Sequence, residues 1–402
     1  MSTLTERSPR RWWMLAGVWF CYMAFGLSMA SLAPLVREIE PDLGFSHSAM
    51  GTVMGAWQFV YIFAAIPCGI LLDRMGTRWG LAIGAFIIGL SGIFRGFAEE
   101  YVHLLAAVAL FGIGGPLISA GAPKVVSEHF EGPTRGLAMG IYISGPGIGA
   151  IAALLLTQPL VLPILDGDWR LLLQIWGGVG LAAGLFWLLV ARGRPHASDA
   201  VQAKPTLANL VEILRIPAVR LILLMSVGVF AINHGLGNWL VEILQSFGAS
   251  PSSASVLATI PVGVGIISAL TLPRLAVGSR RFSVLILLFS CSVVASLALL
   301  TQPAGIWLYL ALVVEGIAAG SMMTVLVLTL VEVPGVGEER AGTAGGFFFS
   351  AAEIGGVGGP VLLGVLFHTH GHFSSSLLVL ALLGALLVVS VFPLRCQLLR
   401  KA

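Results

Sequence analysis

"GILLDRMGTRWG", residues 69–80, gathers Asp73, Arg74 and Arg78 around Gly76 inside a long apolar run. Apolar sequence leads into it from residue 47 and out of it to residue 97. The charged knot therefore reads as a tight connection between two membrane-crossing helices rather than as part of either. Gly76 gives the turn a backbone without steric cost, and the arginines hold the loop at a membrane face.

Working outward, apolar segments near the length that crosses ~30 Å of hydrocarbon fall at 12–35, 47–72, 78–97, 102–127, 136–160, 169–191, 218–243, 252–273, 282–301, 305–331, 341–367 and 373–394. The expected fold is an all-α membrane protein of twelve transmembrane helices, because lipid offers no partner to open backbone groups. A composition of 57% hydrophobic and 10% charged residues excludes an ordinary soluble domain. The apolar stretch after Arg7, Arg10 and Arg11 is long enough to stay as the first helix rather than be cleaved as a signal. The four cysteines have no metal or disulfide spacing and read as small hydrophobes. No zinc spacing, phosphate cradle or nucleophile with an orienting base stands out, and no basic patch carries interleaved aromatics. The chain is thus expected to be no enzyme, to need no metal or cofactor, and to bind no nucleic acid.

With twelve spans, 19 of the 22 lysines and arginines fall on the side of the termini, leaving Arg37, Arg95 and Arg170 opposite. The positive-inside rule then sets both termini in the cytoplasm and the chain in the inner (cytoplasmic) membrane. The longest polar stretch carries Pro195, Pro205 and Pro217 and the amphipathic piece "TLANLVEILR", residues 206–215. It divides the chain into a six-helix bundle at 1–191, a linker at 192–217 and a second bundle at 218–402.

The halves share a pattern. At an offset of 206, Gly140, Ser144, Ile148 and Gly149 meet Gly346, Ser350, Ile354 and Gly355; at 204, Gly112, Ile113 and Glu128 meet Gly316, Ile317 and Glu332. Parallel six-span repeats are a signature of one transporter architecture.

The spacing of Gly69, Asp73, Arg74, Gly76 and Arg78 resembles the signature loop of the major facilitator superfamily, and "SGPGIG", containing Gly145, Pro146 and Gly149, is similar to its helix-five motif. The resemblance implies a secondary active transporter in which two bundles rock around a midplane site, acting as a monomer. It further implies that Asp73 latches onto the start of helix 11 near Ala341, where unsatisfied amides and the helix dipole favour an anion. The matching loop of the second half, "LPRLAVGSRR", keeps Arg274, Gly278 and Arg280 but no aspartate. "GAPKVVSEHF" at 121–130 and "GIYISGPGIG" at 140–149 resemble the cyanate and nitroimidazole permease branch, whose solutes are small and often anionic.

Charges at bilayer depth are costly and mark function. Glu315 and Glu353 approach the midplane of helices 10 and 11 and are the candidate proton carriers. In helix 7, "INHGLGNWLVE" concentrates Asn233, His234, Asn238 and Trp239 around Gly235 and Gly237, suggesting a bending, polar-lined gate. Tyr22, Trp57, Gln58 and Tyr142 complete the mid-depth set, while Lys124 either snorkels to the interface or meets an anionic substrate. The leading expectation is a proton-coupled transporter of a small organic or inorganic solute. A drug or organic-cation:proton exporter is the alternative, and a non-transporting membrane receptor or sensor the reading from another class.

Overall fold

The computed structural model describes residues 10–191 and 212–399, and every regular element among them is helical. In chain order these are α1 (Arg10–Ala30), α2 (Val36–Leu43), α3 (His47–Arg95), α4 (Tyr101–His129), α5 (Gly132–Leu156), α6 (Trp169–Val190), α7 (Pro217–Ser246), α8 (Pro251–Thr271), α9 (Arg280–Leu300), α10 (Ile306–Val331), α11 (Gly337–His370) and α12 (Ser374–Leu399). Of the amphipathic linker piece, residues 206–211 lie outside the described set; residues 212–215 are helical, and Glu212 pairs with Arg340 of α11 at 3.2 Å.

Among the described residues eleven helices are long and apolar enough to cross a bilayer, and α3 is one of them at 49 residues. A straight helix of that length would reach ~74 Å, more than twice a hydrocarbon core. It is not straight: Gly76 has φ 79° and ψ 165°, a conformation that side-chain-bearing residues avoid. A Cβ built on Gly80 would lie 2.2 Å from the Leu72 side chain, whereas eight helical residues separate two positions by ~12 Å. The chain doubles back at Gly76, so α3 makes two crossings, as the charged knot required, and the crossings among the described residues number twelve.

Other boundaries differ from the expected ones. The first span stops at Ala30 rather than at 35, because a 3₁₀ turn at Ala33–Leu35 with Pro34 redirects the chain into α2. Gly44, at φ 66°, ends α2 by donating its N–H to the Glu40 carbonyl. α7 runs as one helix through Gly235 and Gly237, without the expected break; a Cβ built on Gly235 would instead lie 3.4 Å from the Gly359 backbone of α11.

The chain forms two compact units, residues 1–198 with 249–259, and residues 199–248 with 260–402. Each is held by backbone-to-backbone contacts at glycine, and the contacts recur in register. A Cβ on Gly149 (α5) would lie 1.9 Å from the Met23 carbonyl oxygen and 2.6 Å from Leu27 N of α1; on Gly355 (α11) it would lie 1.9 Å from the Val227 oxygen and 2.9 Å from Ala231 N of α7. Gly112 meets the Trp57 oxygen and Val60 as Gly316 meets the Pro261 oxygen and Val264. Gly180 meets Gly89 and the Ala85 oxygen as Gly384 meets Val293 and the Phe289 oxygen. Even the loops agree: Thr77 donates to Glu128 in the first unit, and Arg281 pairs with Glu332 in the second. All of these correspondences keep the 204 or 206 offset seen in the sequence.

The outer surface is apolar, as lipid contact demands: Phe63 is 65%, Ile66 72% and Leu224 69% exposed. Inside, small residues let helices touch through dispersion contacts rather than through the hydrophobic effect, which lipid removes.

Gly149→Ala and Gly355→Ala are therefore expected to force their helix pairs apart at a cost of about 1–3 kcal/mol each, the range for overpacking. Gly237→Ala has open space within 4 Å and is expected to be neutral or slightly stabilising, since alanine favours helix. Thermal melting of the three variants in detergent checks the order.

Candidate functional site

In the first unit, α1, α3, α4 and α5 bring six rings together. Tyr22 stacks on Phe25 at 5.8 Å between centroids and meets Tyr142 edge-on at 5.6 Å. Phe25 contacts Trp57 and Phe111, and Trp57 contacts Phe111 and Tyr61. The helix contact at Gly149 causes this: Gly145, one turn earlier on α5, lies 3.0 Å (as a built Cβ) from Tyr22 Cβ and the Trp19 oxygen. Trp57 and Phe111 are buried, whereas Tyr22, Phe25 and Tyr61 are only partly covered. Gln58 is fully enclosed, which makes it a packing residue of the interior rather than a lining one.

Arg95 is the fully buried cation of this unit, 1% exposed. Its Nη1 donates to the Ser28 carbonyl at 2.7 Å and to Ser31 Oγ at 3.1 Å, and its guanidinium lies 5.8 Å from the Phe111 centroid. Ser28 belongs to the last turn of α1, whose free carbonyls carry the negative end of the helix dipole. That end stands in for a carboxylate counter-ion, since no ion pair to Arg95 exists among the described residues. At the same end, Gln158 donates to the Pro34 carbonyl and to Glu38 Oε1. His47 pairs with Glu40 at 2.6 Å, and Arg170 pairs with Asp42.

At the Gly76 end, Asp73 Oδ1 accepts from Lys124 Nζ of α4 at 2.8 Å. Within this unit Lys124 is the loop's counter-ion. The expected partner near Ala341 lies outside the described side chains. Arg78 lies over Trp79, and its carbonyl accepts the Trp187 indole N–H at 2.8 Å, which ties the turn to α6. Arg74 is exposed and Gly69 has no neighbour within 4 Å of a built Cβ, so neither is held by packing.

In the second unit, Glu315 and Glu353 are 3% and 5% exposed on α10 and α11, helices that pack together. The Oε2 atom of each has no hydrogen-bond partner among the described residues, and Cys291 lies within electrostatic reach of Glu315. Asn233 Nδ2 of α7 donates to the Ala319 carbonyl at 3.3 Å, one turn along α10 from Glu315. The His234 ring lies tilted against Phe230 at 5.4 Å between centroids, and Asn238 donates to the His234 carbonyl. Trp239 departs from the expectation: it is fully enclosed, gives its indole N–H to the Pro360 carbonyl at 3.0 Å and packs on Phe373. It clamps α7 to α11 instead of lining an opening.

Several buried polar residues escaped the sequence reading, among them Glu40 and Gln158 of the first unit and Glu242 and Gln245 of the second. Glu242 is 4% and Gln245 7% exposed near the end of α7. The signal was present, because the 204 offset sets Glu242 in register with Glu38, the residue bound by Gln158. No group of three or more metal-binding side chains occurs among the described residues.

Twelve apolar crossings in two repeated units, with acids buried inside, define a secondary transporter rather than an enzyme. The description Major Facilitator Superfamily matches residues 18–360, and the chain belongs to that family. It is 24% identical to "Uncharacterized transporter YycB" of Bacillus subtilis (strain 168), over 96% of this chain and 93% of that protein. It is likewise 24% identical to the "Hexuronate transporter" of the same organism, over 90% of each chain. Among solved structures, the inward-facing, unoccupied crystal structure of a bacterial homologue of the human lysosomal transporter Spinster superposes with a TM-score of 0.78 at 17% identity, covering 98% of both chains.

Because the Asp73–Lys124 pair is solvent-exposed, with Asp73 67% accessible, a double-mutant cycle on it is expected to return under about 1 kcal/mol of stability. Arg95→Ala strips a buried helix end of its charge-assisted donors and is expected to cost about 2 kcal/mol or more. Denaturation of the purified variants compares the two.

Proposed function

We propose that this protein couples protons to the movement of a small organic anion across the inner (cytoplasmic) membrane by alternating access, acting as a monomer with both termini in the cytoplasm. The observation that carries the reading is the pair Glu315 and Glu353, enclosed on packed helices with one oxygen each left unpartnered among the described residues. A protonated carboxyl at that depth donates a hydrogen bond to an anionic solute; an ionised one repels it and is itself poorly solvated. Anion and proton therefore enter and leave together, which is symport.

The hexuronate transporter among the relatives supports an organic acid as cargo; the expected likeness to the cyanate and nitroimidazole permease branch finds no support among these relatives. Asn233 contributes a polar group of α7 one turn along α10 from Glu315, His234 and Asn238 further polar groups of α7, and Tyr22, Trp57 and Tyr142 the aromatic wall of the first unit. The loop of Gly69, Asp73, Arg74, Gly76 and Arg78 acts as the gate, with Asp73 exchanging Lys124 for the amide end of α11 as the access state changes. Gly145, Pro146 and Gly149 form the close helix contact through which α5 and α1 move together as the access state changes. The orientation rests on the side-by-side count of lysines and arginines.

The buried acids would also suit an organic-cation:proton exporter, and the two readings predict opposite signs. Purified protein in liposomes, offered D-glucuronate, benzenesulfonate and tetraphenylphosphonium under imposed pH gradients, separates them. Accumulation of an anion toward the alkaline side is expected, with Glu315→Gln and Glu353→Gln each lowering it at least tenfold while anion counterflow survives. Accumulation of tetraphenylphosphonium toward the acidic side, or full pH-driven anion uptake by both variants, overturns the proposal. Saturable binding with no counterflow identifies a receptor instead.

A further inference from the structure

Resting on the anion reading above, we infer that the aromatic cluster of the first unit seats a flat unsaturated ring, so that the cargo class is aromatic or heteroaromatic acids rather than polyhydroxylated sugar acids.

The hydroxyls come first. Tyr22 lies within electrostatic reach of the Tyr61 and Tyr142 phenols, so three O–H groups gather in one region. Tyr61 is satisfied by Ser119 Oγ at 2.7 Å. Tyr22 and Tyr142 make no hydrogen bond to the described residues, and neither oxygen is among the sealed, unpartnered atoms. In a membrane-embedded interior, polar groups left without protein partners are rare and point to water or ligand. Two free phenols offer donors to an acceptor group such as a carboxylate.

The rings come second. Phe25, only partly covered, supplies an apolar face, backed by the buried Trp57 and Phe111 rings with centroids 4.9 to 6.3 Å apart, the range in which aromatic pairs attract one another beyond their buried area. Gly115 of α4 leaves room for the Phe25 and Tyr61 rings, which a built Cβ there would approach to 3.3 Å. A sugar acid needs many donors and acceptors around its hydroxyls. This region presents faces, edges and a few donors, while Trp19 and Ser144 already bind each other and the Ile141 carbonyl.

Charge comes third. Arg95 sits behind Phe111 with no acidic partner among the described residues, and its Nε remains without a hydrogen bond. In low-dielectric surroundings a cation is felt across a ring's thickness, which biases the cluster toward an anionic occupant.

Titration calorimetry of the full-length protein in lipid nanodiscs, with benzoate, cyclohexanecarboxylate and D-glucuronate as probes, tests this. Benzoate is expected to bind at least tenfold tighter than either of the others. Tyr22→Phe and Tyr142→Phe, which keep the ring and the fold, are each expected to weaken benzoate about fivefold. Phe25→Leu is expected to weaken benzoate and leave cyclohexanecarboxylate unchanged. Glucuronate binding as tightly as benzoate, no benzoate binding, or a Tyr22→Phe/Tyr142→Phe double variant with unaltered benzoate affinity and melting temperature overturns it. The two proposals fail separately: pH-driven glucuronate uptake without benzoate binding removes the ring assignment alone, and benzoate binding without pH-driven anion uptake removes the coupling alone.

Discussion

The contact on which the rest depends is glycine against carbonyl: Gly149 on the Met23 oxygen, and Gly355 on the Val227 oxygen. With no side chain between them, α1 and α5, and likewise α7 and α11, approach as closely as backbones allow, and their relative rotation is fixed. On α5 this fixes Tyr142, two turns before Gly149, against Tyr22. On α11 it fixes Glu353, which lies two residues before Gly355 and hence ~200° around the helix, away from α7. Neither the aromatic wall nor the buried acid is placed by its own interactions; each is carried to its position by a neighbour that has no side chain.

The two units share one frame and differ in what they hang on it. Phe111, in the floor of the ring cluster, stands at the register position that Glu315 occupies in the second unit, and Gly147 at that of Glu353. Tyr22 corresponds to Ser226, which turns its hydroxyl onto the Leu223 and Phe348 carbonyls. One copy presents faces and phenols, the other presents carboxyls. A repeated scaffold thus carries two different chemical surfaces without inventing a second fold.

Much of this is written in the sequence because lipid simplifies the rules. Span lengths, the reversal at Gly76 and the repeat follow from apolar runs, a positive-φ residue and spaced glycines. What was hidden depends on neighbours distant in the chain. Lys124 finds Asp73 across 51 residues, and no local pattern distinguishes that from snorkelling. Trp239 looks like a lining residue because it sits among asparagines, but the carbonyl it binds belongs to Pro360. The break expected at Gly235 is missing because the glycine serves contact with Gly359 rather than flexibility. The early end of α1 traces to Pro34, whose ring prefers a new helical start over an extension of the old one.

The numerical offset between the halves is 204 through α10, 206 in α11 and 204 again in α12. Two residues enter between α10 and α11 and two are lost between α11 and α12, so the insertion and deletion cancel around a single rod. An ungapped overlay of the halves would therefore set Glu353 on Gly149, exchanging an acid for a spacer. Any chimera that transplants one half's eleventh crossing into the other must cut in those two connectors, where no neighbouring backbone dictates the count.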